Sequence, residues 1–282
     1  MRDTSQALSI DLEAWYHAEL VRRHVDRSRA HAQLVEATQP VLDLLAQMAT
    51  RATFFVVGEV LELEPDLVRA IAGAGHEVAC HGWSHRPLWA LDATSFRNEL
   101  GRYGEALAGL GLPPAVGYRA PTFSLGPRTA WALAELAAAG YRYDSSLFPR
   151  RMGLYGVAGA PLAPYRPALD DLCRHDPAGP LVEFPMAVWR GLGGTWPVAG
   201  GFYLRVLPFR LLRSLLRRVQ AEGRPFVLYL HPWEAYPATP RVSGLNPWER
   251  WVTYTGAKSA LPRLRALLEE FRFAPLREVL GV

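Results

Sequence analysis

The chain has 282 residues, of which half are hydrophobic and 21% are charged; this is the composition of a globular protein with a substantial core and excludes a disordered chain. Its net charge of +4 is only a mild basic excess, far from the strongly basic surface typical of nucleic-acid-binding proteins. The two cysteines, Cys80 and Cys173, are too few and too far apart for a disulfide framework or a cysteine-based zinc site.

The N-terminal residues 1–6 pass almost directly into a predicted strand, which leaves no room for the apolar region of a signal peptide. No apolar run approaches the roughly 20 residues that a membrane-spanning helix needs. We therefore expect no transmembrane segment and a cytoplasmic location.

Short apolar runs typical of buried strands alternate along the chain with longer amphipathic segments typical of helices. In chain order, the pattern predicts a strand over residues 7–13, a helix near Pro40, a strand over 52–57, a helix from Pro65, a strand over 75–79, a helix capped by Asp92, a strand over 115–119, a helix from Pro127, strands over 141–144 and 181–184, a helix over 208–222, a strand over 226–230 and a last helix through Leu261 and Phe271. Residues 146–206 contain a long excursion rich in proline and glycine.

This alternation predicts an α/β fold in which helices cover a parallel sheet. About seven strand–helix units favour an irregular (β/α) barrel of about seven parallel strands over an open sheet. We expect a single domain over residues 1–282.

Polar side chains follow five of the predicted strands. Because the carboxyl ends of the strands of a parallel barrel open on one face, these side chains are expected to converge on one pocket. Each has an ordinary alternative as a helix cap, a surface ion pair or a buried histidine, but five strands are unlikely to end this way by accident. The residues are Asp11, Glu13, His81, His85, Arg119, Asp144 and His231.

His81 and His85 lie four residues apart directly after a predicted strand. Two imidazoles at this spacing can turn their ring nitrogens onto one ion, and imidazole is a common ligand of zinc and related metals. The pair alone is a weak signal. The polar strand ends elsewhere in the chain strengthen it.

Five short motifs contain these strand-end residues: S-I-D-L-E at residues 9–13, H-G-W-S-H at 81–85, Y-R-A-P at 118–121, Y-D-S-S at 143–146 and L-Y-L-H-P-W at 228–233. Taken together, these motifs resemble those of the polysaccharide deacetylases of the NodB-homology type (carbohydrate esterase family 4), and most of all the branch associated with exopolysaccharide and exosortase gene clusters. The segment 197–203 and the tryptophan-rich tail are also similar to that branch. The resemblance implies a NodB-like deacetylase barrel with a branch-specific C-terminal part at about 232–282.

The resemblance also implies a divalent metal, zinc above all, with cobalt or another transition metal as the alternative. His81 and His85 are two of its ligands. The commoner first motif has two adjacent aspartates, whereas here Leu12 follows Asp11 and Glu13 comes one residue late. Glu13 is therefore the expected third ligand, with Asp11 as the alternative.

The roles of the remaining motif residues follow from the same resemblance. Asp11 is the expected general base, oriented by Arg119 through a forked ion pair. His231 is the expected general acid, with Asp144 holding its tautomer. A backbone N–H near Thr122 is expected to meet the developing oxyanion.

Nine tryptophans suit a carbohydrate groove, because sugar faces pack on aromatic rings, although several are expected to fill the core instead. The aromatic residues near the motifs, and so the candidates for substrate binding, are Trp83, Phe123, Trp196, Tyr203 and Trp233.

The predicted function is metal-dependent removal of N-acetyl groups from the amino sugars of a polysaccharide, a hydrolysis of linear amide C–N bonds, in exopolysaccharide biosynthesis. The partner is then an N-acetylated polysaccharide or oligosaccharide, and nucleic acid is not expected. Three alternatives stay open: an amidohydrolase of a small nitrogenous substrate, a non-catalytic polysaccharide-binding protein on the same fold, and a structural or membrane-surface protein using the arginine-rich helix at 208–222.

Overall fold

The computed structural model of the chain describes residues 5–27, 30, 32–191 and 193–282. Residues 1–4, on which the expected absence of a signal peptide partly depends, lie outside this range. The strands are β1 (Gln6–Leu12), β2 (Thr53–Val56), β3 (Glu77–Cys80), β4 (Gly117–Tyr118), β5 (Tyr143–Asp144), β6 (Val182–Glu183), β7 (Val188–Gly191), β8 (Gly194–Pro197), β9 (Val227–Leu230) and β10 (Phe273–Ala274).

The helices are α1 (Leu34–Gln47), α2 (Gly58–Leu63), α3 (Pro65–Gly73), α4 (Ala93–Gly109), α5 (Trp131–Ala138), α6 (Gly201–Val206), α7 (Phe209–Ala221), α8 (Pro247–Tyr254), α9 (Ala257–Glu270) and α10 (Leu276–Leu280). Within the described residues, no helix combines the length and the apolar character needed to cross a membrane.

Seven of the described strands run parallel in the order β9-β1-β2-β3-β4-β5-β6, and the short β10 pairs in parallel with the start of β1. They form a curled half-barrel with flanking helices, which confirms the predicted α/β barrel of about seven parallel strands. The hairpin of β7 and β8 is separate and antiparallel. Strands β9 and β10, from the end of the chain, both pair with β1, from its beginning.

The central strand β1 is buried at every position, and its side chains alternate between two cores, as strand geometry requires. Leu8, Ile10 and Leu12 belong to the larger core, which the helices also enter. Ala7 belongs to the smaller core, which Phe55 and Tyr143 fill from neighbouring strands. The concave side of the sheet is therefore packed with aromatic rings, and Asp11 is carried at its carboxyl end.

The starts of α4 and α1 test two predictions made from the local sequence. The predicted cap is confirmed, because the Asp92 carboxylate accepts a hydrogen bond of 2.7 Å from the Ser95 N–H. The predicted start at Pro40 is wrong: α1 begins at Leu34 and Pro40 lies inside it. Burial of Leu34 and Ala37 against the core extends the helix upstream of the proline.

Candidate active site

A cavity of about 270 Å³ opens at the carboxyl ends of the parallel strands. Six strand-end or loop residues predicted from the sequence line it: Asp11, Glu13, His81, His85, Thr122 and His231. Two polar residues that the sequence analysis did not single out, Arg205 and Glu234, line it as well. Asp144 and Arg119 do not line the cavity themselves.

The candidate metal ligands Glu13, His81 and His85 lie together, each offering one ligand atom within 4.8 Å of the others. The Nδ1 of His81 lies 2.7 Å from the carbonyl oxygen of Arg119. If Nδ1 carries the proton, Nε2 presents its lone pair to the cluster, an arrangement common in metal-bound histidines. The Nε2 of His85 lies 2.6 Å from Oε2 of Glu13.

These residues fit a divalent transition metal. Burial lowers the pKa of His81 to about 4, so the ring is neutral and able to ligate. Burial by itself would raise the pKa of Glu13, but the charges of His85 and His231 outweigh it and hold the pKa well below its usual range. The buried Nδ1 of His85 has no hydrogen-bond partner among the described residues. One carboxylate and two imidazoles form a donor set that zinc favours.

The loop after β3 brings the two histidines together. Gly82 has a left-handed backbone with φ of +70°, and a Cβ there would lie 3.3 Å from the Pro121 ring. His85 is itself left-handed, with φ of 53°. The Glu99 carboxylate of α4 accepts hydrogen bonds from the Trp83 N–H at 3.0 Å and the Ser84 hydroxyl at 2.9 Å, which fixes the loop.

His17, another residue that the sequence analysis did not single out, supports this loop. Its ring stacks on His85 at 5.3 Å with an interplanar angle of 11°. Its Nε2 lies 3.4 Å from Glu59. His17 follows β1 in a short helical turn, so only its position after a strand could have indicated it.

Asp11 and Arg119 form a fully buried ion pair with a distance of 2.6 Å between Oδ1 and one terminal guanidinium nitrogen. The predicted fork is wrong, because the same nitrogen also donates to Ser9 Oγ and the other two nitrogens bind Ser145. The guanidinium also lies 4.1 Å from the centre of the Phe55 ring. Arg119 therefore fixes one oxygen of Asp11, and Oδ2 lies on the His231 side, 3.9 Å from its Nε2.

His231 is held by Glu234 and not, as predicted, by Asp144. Its Nδ1 lies 2.7 Å from Oε2 of Glu234, whose Oε1 accepts a hydrogen bond of 2.7 Å from buried Arg205. Burial opposes the charged ring, but Glu13, Glu234 and Asp11 outweigh it and raise the pKa of His231 to about 9. His231 is therefore a cation at neutral pH, with Nε2 directed at the cavity.

Gly201, in the segment 197–203, leaves free the space that the Glu234 carboxylate occupies. A Cβ on Gly201 would lie 1.9 Å from Oε2 of Glu234, so only glycine allows α6 to approach. Arg205 follows one turn later on α6. Two features of the sequence could have predicted the contact between His231 and Glu234. They are the three-residue spacing of these residues and the Gly200-Gly201 pair.

Asp144 lies behind the cavity wall. Its Oδ1 accepts a hydrogen bond of 2.5 Å from Ser146 Oγ, which in turn accepts one of 2.7 Å from the Ala120 N–H. Asp144 is also the register partner of Glu183. Burial raises the pKa of both carboxyl groups, well above the usual range for Glu183. The hydrogen bond to Ser146 connects Asp144 to the loop that leads to Thr122.

Thr122 and Phe123 adopt consecutive left-handed conformations, with φ of 58° and 49°, which are uncommon for residues with side chains. Both line the cavity. The Thr122 hydroxyl is buried and has no hydrogen-bond partner among the described residues. That a backbone N–H here meets an oxyanion stays a prediction.

The predicted aromatic residues divide into two groups. Phe123 and Trp233 line the cavity, and Trp233 stacks on His231 at 5.2 Å and donates its indole N–H to Glu13 Oε1 at 3.2 Å. Trp83 does not line it, because its ring is buried against Gly58 and Arg102. Trp196, on the β7–β8 hairpin, and Tyr203 also lie outside the lining, where Phe202 and Tyr155 stand instead.

Comparison with known proteins divides the chain near its middle. A profile of the polysaccharide deacetylase family matches residues 26–143. A second profile, for a domain of unknown function, DUF3473, matches residues 145–281. A chitooligosaccharide deacetylase of Rhizobium leguminosarum bv. trifolii is 35% identical over 150 residues, which cover 50% of this chain and 68% of that protein.

Solved structures share the fold. One from Mycobacterium smegmatis, described as that of a polysaccharide deacetylase, aligns with a TM-score of 0.64 and 22% identity, covering 100% of this chain and 91% of that chain. A carbohydrate esterase family 4 pseudoenzyme from Bacillus anthracis aligns with a TM-score of 0.51 and 14% identity, covering 99% of this chain and 66% of that chain. At these identities the alignments establish the architecture only.

Proposed function

This chain belongs to the polysaccharide deacetylase family, and we propose that it is a metal-dependent hydrolase that removes N-acetyl groups from the amino sugars of a polysaccharide. The observation that carries the proposal is the single cavity in which the Glu13–His81–His85 cluster meets the Asp11–Arg119 pair and the His231 cation. This places a metal donor set, a base and an acid around one small space.

Glu13, His81 and His85 would hold the metal. When bound there, zinc or a related cation polarises a carbonyl oxygen and lowers the pKa of water. The chain prepares these ligands by keeping Glu13 ionised and His81 neutral. Trp233 adds a hydrogen bond to Glu13 and so restrains the carboxylate that stands one residue later than in the commoner motif.

Asp11 takes the proton of the attacking water. Arg119 binds Oδ1 and fixes the plane of the carboxylate, so that Oδ2 is the oxygen available to the cavity. Since Arg119 is itself held by Ser9 and Ser145, the base has little freedom to turn. This pre-organisation places the carboxylate before substrate arrives.

His231 returns a proton to the departing amine. Its Nδ1–H is engaged by Glu234, so the proton on Nε2 is the one directed at the cavity. A pKa of about 9 keeps this proton in place at neutral pH, and Trp233 covers one face of the ring. The peptide N–H near Thr122 is the proposed donor to the acetamide oxygen as charge develops there.

The same fold is found in a pseudoenzyme, so the alternative of a non-catalytic polysaccharide-binding protein is judged on the site. The buried Asp11–Arg119 pair and the cationic His231 are costly to keep in a binding protein that needs no proton transfer. This favours the enzyme. Exopolysaccharide biosynthesis as its setting rests on the sequence resemblance.

The test is acetate release from N-acetylglucosamine oligomers and from crude exopolysaccharide, with metal removed and with zinc or cobalt restored. We expect release only with metal present and a loss of roughly 10²-fold or more in Asp11→Asn. Glu13→Ala should lose bound metal in elemental analysis, whereas Glu36→Ala, on the exposed side of α1, should keep it. No release from either substrate, with no metal retained by the unmodified protein, would leave the binding protein as the better explanation.

A further inference from the structure

A second cavity, of about 610 Å³, lies beside α8, the helix that also borders the catalytic cavity. Val252 and Thr253 of α8 face the catalytic cavity. Trp251 and Tyr254 of the same helix face the second one. The two cavities are therefore neighbours separated by one helix.

An exposed aromatic surface connects them. Phe202 lines the catalytic cavity and contacts the Trp251 ring edge to face at 5.4 Å. Trp248 stacks on Trp251 at 5.1 Å with an interplanar angle of 29°. Trp248 is 63% exposed and Trp251 39% exposed. Large rings left in solvent beside a catalytic cavity mark a binding surface, and a flat indole suits the apolar face of a sugar ring.

The second cavity is also cationic. Arg241 and Arg250 line it, and among the described residues no acidic side chain does. The Arg241 guanidinium lies 4.2 Å from the centre of the Tyr254 ring. Neither arginine forms an ion pair within the part of the chain that the structure describes. Glu249, their neighbour on α8, is buried and engaged by Arg23 and by the Asn246 cap.

We propose that this second cavity binds an anionic sugar residue, one bearing a carboxylate, of the same glycan chain whose N-acetyl group occupies the catalytic cavity. The proposal rests on the proposed function, because the glycan extends from the catalytic cavity to the second one only if its N-acetyl group is bound in the first. Trp251, which lines this cavity, packs against the sugar, and Trp248 extends the same exposed aromatic surface. The guanidinium groups of Arg241 and Arg250 receive its carboxylate, a pairing for which the planar fork of arginine is suited. The enzyme thereby prefers acidic over neutral N-acetylated polysaccharides.

The experiment compares two hexasaccharides of equal length, a neutral N-acetylglucosamine oligomer and one in which N-acetylglucosamine alternates with glucuronate. Calorimetry measures their affinities for the full chain and for Arg241→Ala/Arg250→Ala. We expect the unmodified protein to bind the glucuronate oligomer more tightly, and the double variant to lose about tenfold in that affinity with little change for the neutral oligomer. Added salt should weaken only the glucuronate complex.

Arg142→Ala is the matched control, since Arg142 is exposed, precedes β5 and lines neither cavity. It should change neither affinity, whereas Trp248→Ala should weaken both. Equal loss for both oligomers in the arginine variant, or no preference for glucuronate in the unmodified protein, would overturn the proposal. So would arginine-dependent binding of inorganic diphosphate without a glucuronate preference. Acetate release from the neutral oligomer is measured in parallel, so that failure of the deacetylase activity is seen separately.

Discussion

His231 takes its carboxylate partner from its own turn of chain. Glu234 follows three residues later, accepts from the His231 backbone N–H at 3.1 Å and meets the ring at 2.7 Å. Burial opposes ionisation of Glu234, but the charges of Arg205 and His231 lower its pKa to about 2. A short chain of charges, from Arg205 through Glu234 to His231, thus sets the protonation state of the proposed acid.

Replacing Glu234 by glutamine tests this role. Because the negative charge helps to raise the pKa of His231, its loss lowers that pKa, and the proton needed for catalysis is lost at lower pH. We expect the alkaline limb of the kcat/KM profile to move to lower pH in Glu234→Gln, with a loss of roughly 10²-fold at neutral pH.

The control is Glu36→Gln on the surface of α1. Each profile is scaled to its own maximum, so partial unfolding of a variant does not imitate a displaced limb. An alkaline limb that stays in place would show that Glu234 does not set the charge of His231.

At the scale of elements, Arg119 links β1 to the loops that follow β4 and β5. Its guanidinium reaches Asp11 and Ser9 on β1 and Ser145 after β5. Lysine has a single nitrogen and cannot reach these groups at once. We expect Arg119→Lys to lower the free energy of unfolding by about 3–5 kcal/mol, because partners of a buried charge lose their bonds.

Urea unfolding measures this loss, with Ser9→Ala as the matched control. Ser9→Ala removes one hydrogen bond from the same network and should cost only about 1 kcal/mol. Equal losses in the two variants would mean that the arginine acts through a single contact.

The β5–β6 pair carries a second prediction. Asp144 and Glu183 face each other in register, and burial raises the pKa of both. A carboxyl group whose pKa is raised by folding stabilises the fold when protonated, and this stabilisation is lost as pH rises above its ordinary value of 4.5. Glutamine at 183 cannot titrate, and its amide can donate a hydrogen bond to Asp144.

We therefore expect the stability of Glu183→Gln relative to the unmodified protein to increase between pH 5 and pH 8. Urea unfolding at the two pH values measures it, with an upper limit of about 1.4 kcal/mol per pH unit. Glu36→Gln should show no such trend. A stability difference that is independent of pH would mean that the pair is ionised in the native state.

At the scale of the whole molecule, the two family profiles meet at residue 144, inside one sheet. Strands β1 to β5 come from the first half and β6, β9 and β10 from the second, and β9 and β10 both pair with β1. The active site is likewise shared, since Asp11 and His81 come from the first half and His231 and Glu234 from the second.

We expect a single cooperative unfolding transition for the full chain, because neither half can bury its strands without the other. Tryptophan fluorescence and far-ultraviolet circular dichroism should give coincident urea curves. Two separated transitions would show instead that the profile boundary divides independent folding units, contrary to the single domain predicted from the sequence.

Much of the candidate site follows from the sequence alone. Strand periodicity located the sheet, and the rule that parallel strands present their carboxyl ends on one face brought Asp11, Glu13, His81, His85 and His231 into one cavity. The rule works because it requires only that the strands run parallel, which the alternation of strands and helices along the chain predicts. It does not require the exact positions of side chains.

Only the tertiary structure decided which side chains touch. In the fold, His231 contacts Glu234, and Asp144 is paired with Glu183. Trp83 is buried in the core, whereas Trp248 and Trp251 are exposed to solvent. These outcomes depend on distances of a few ångströms between residues far apart in the chain, such as Arg205 and Glu234 across the space that Gly201 leaves free. A change of less than one ångström in the distance between donor and acceptor decides whether a hydrogen bond forms. Distances of this precision are fixed only by the packing of the whole chain.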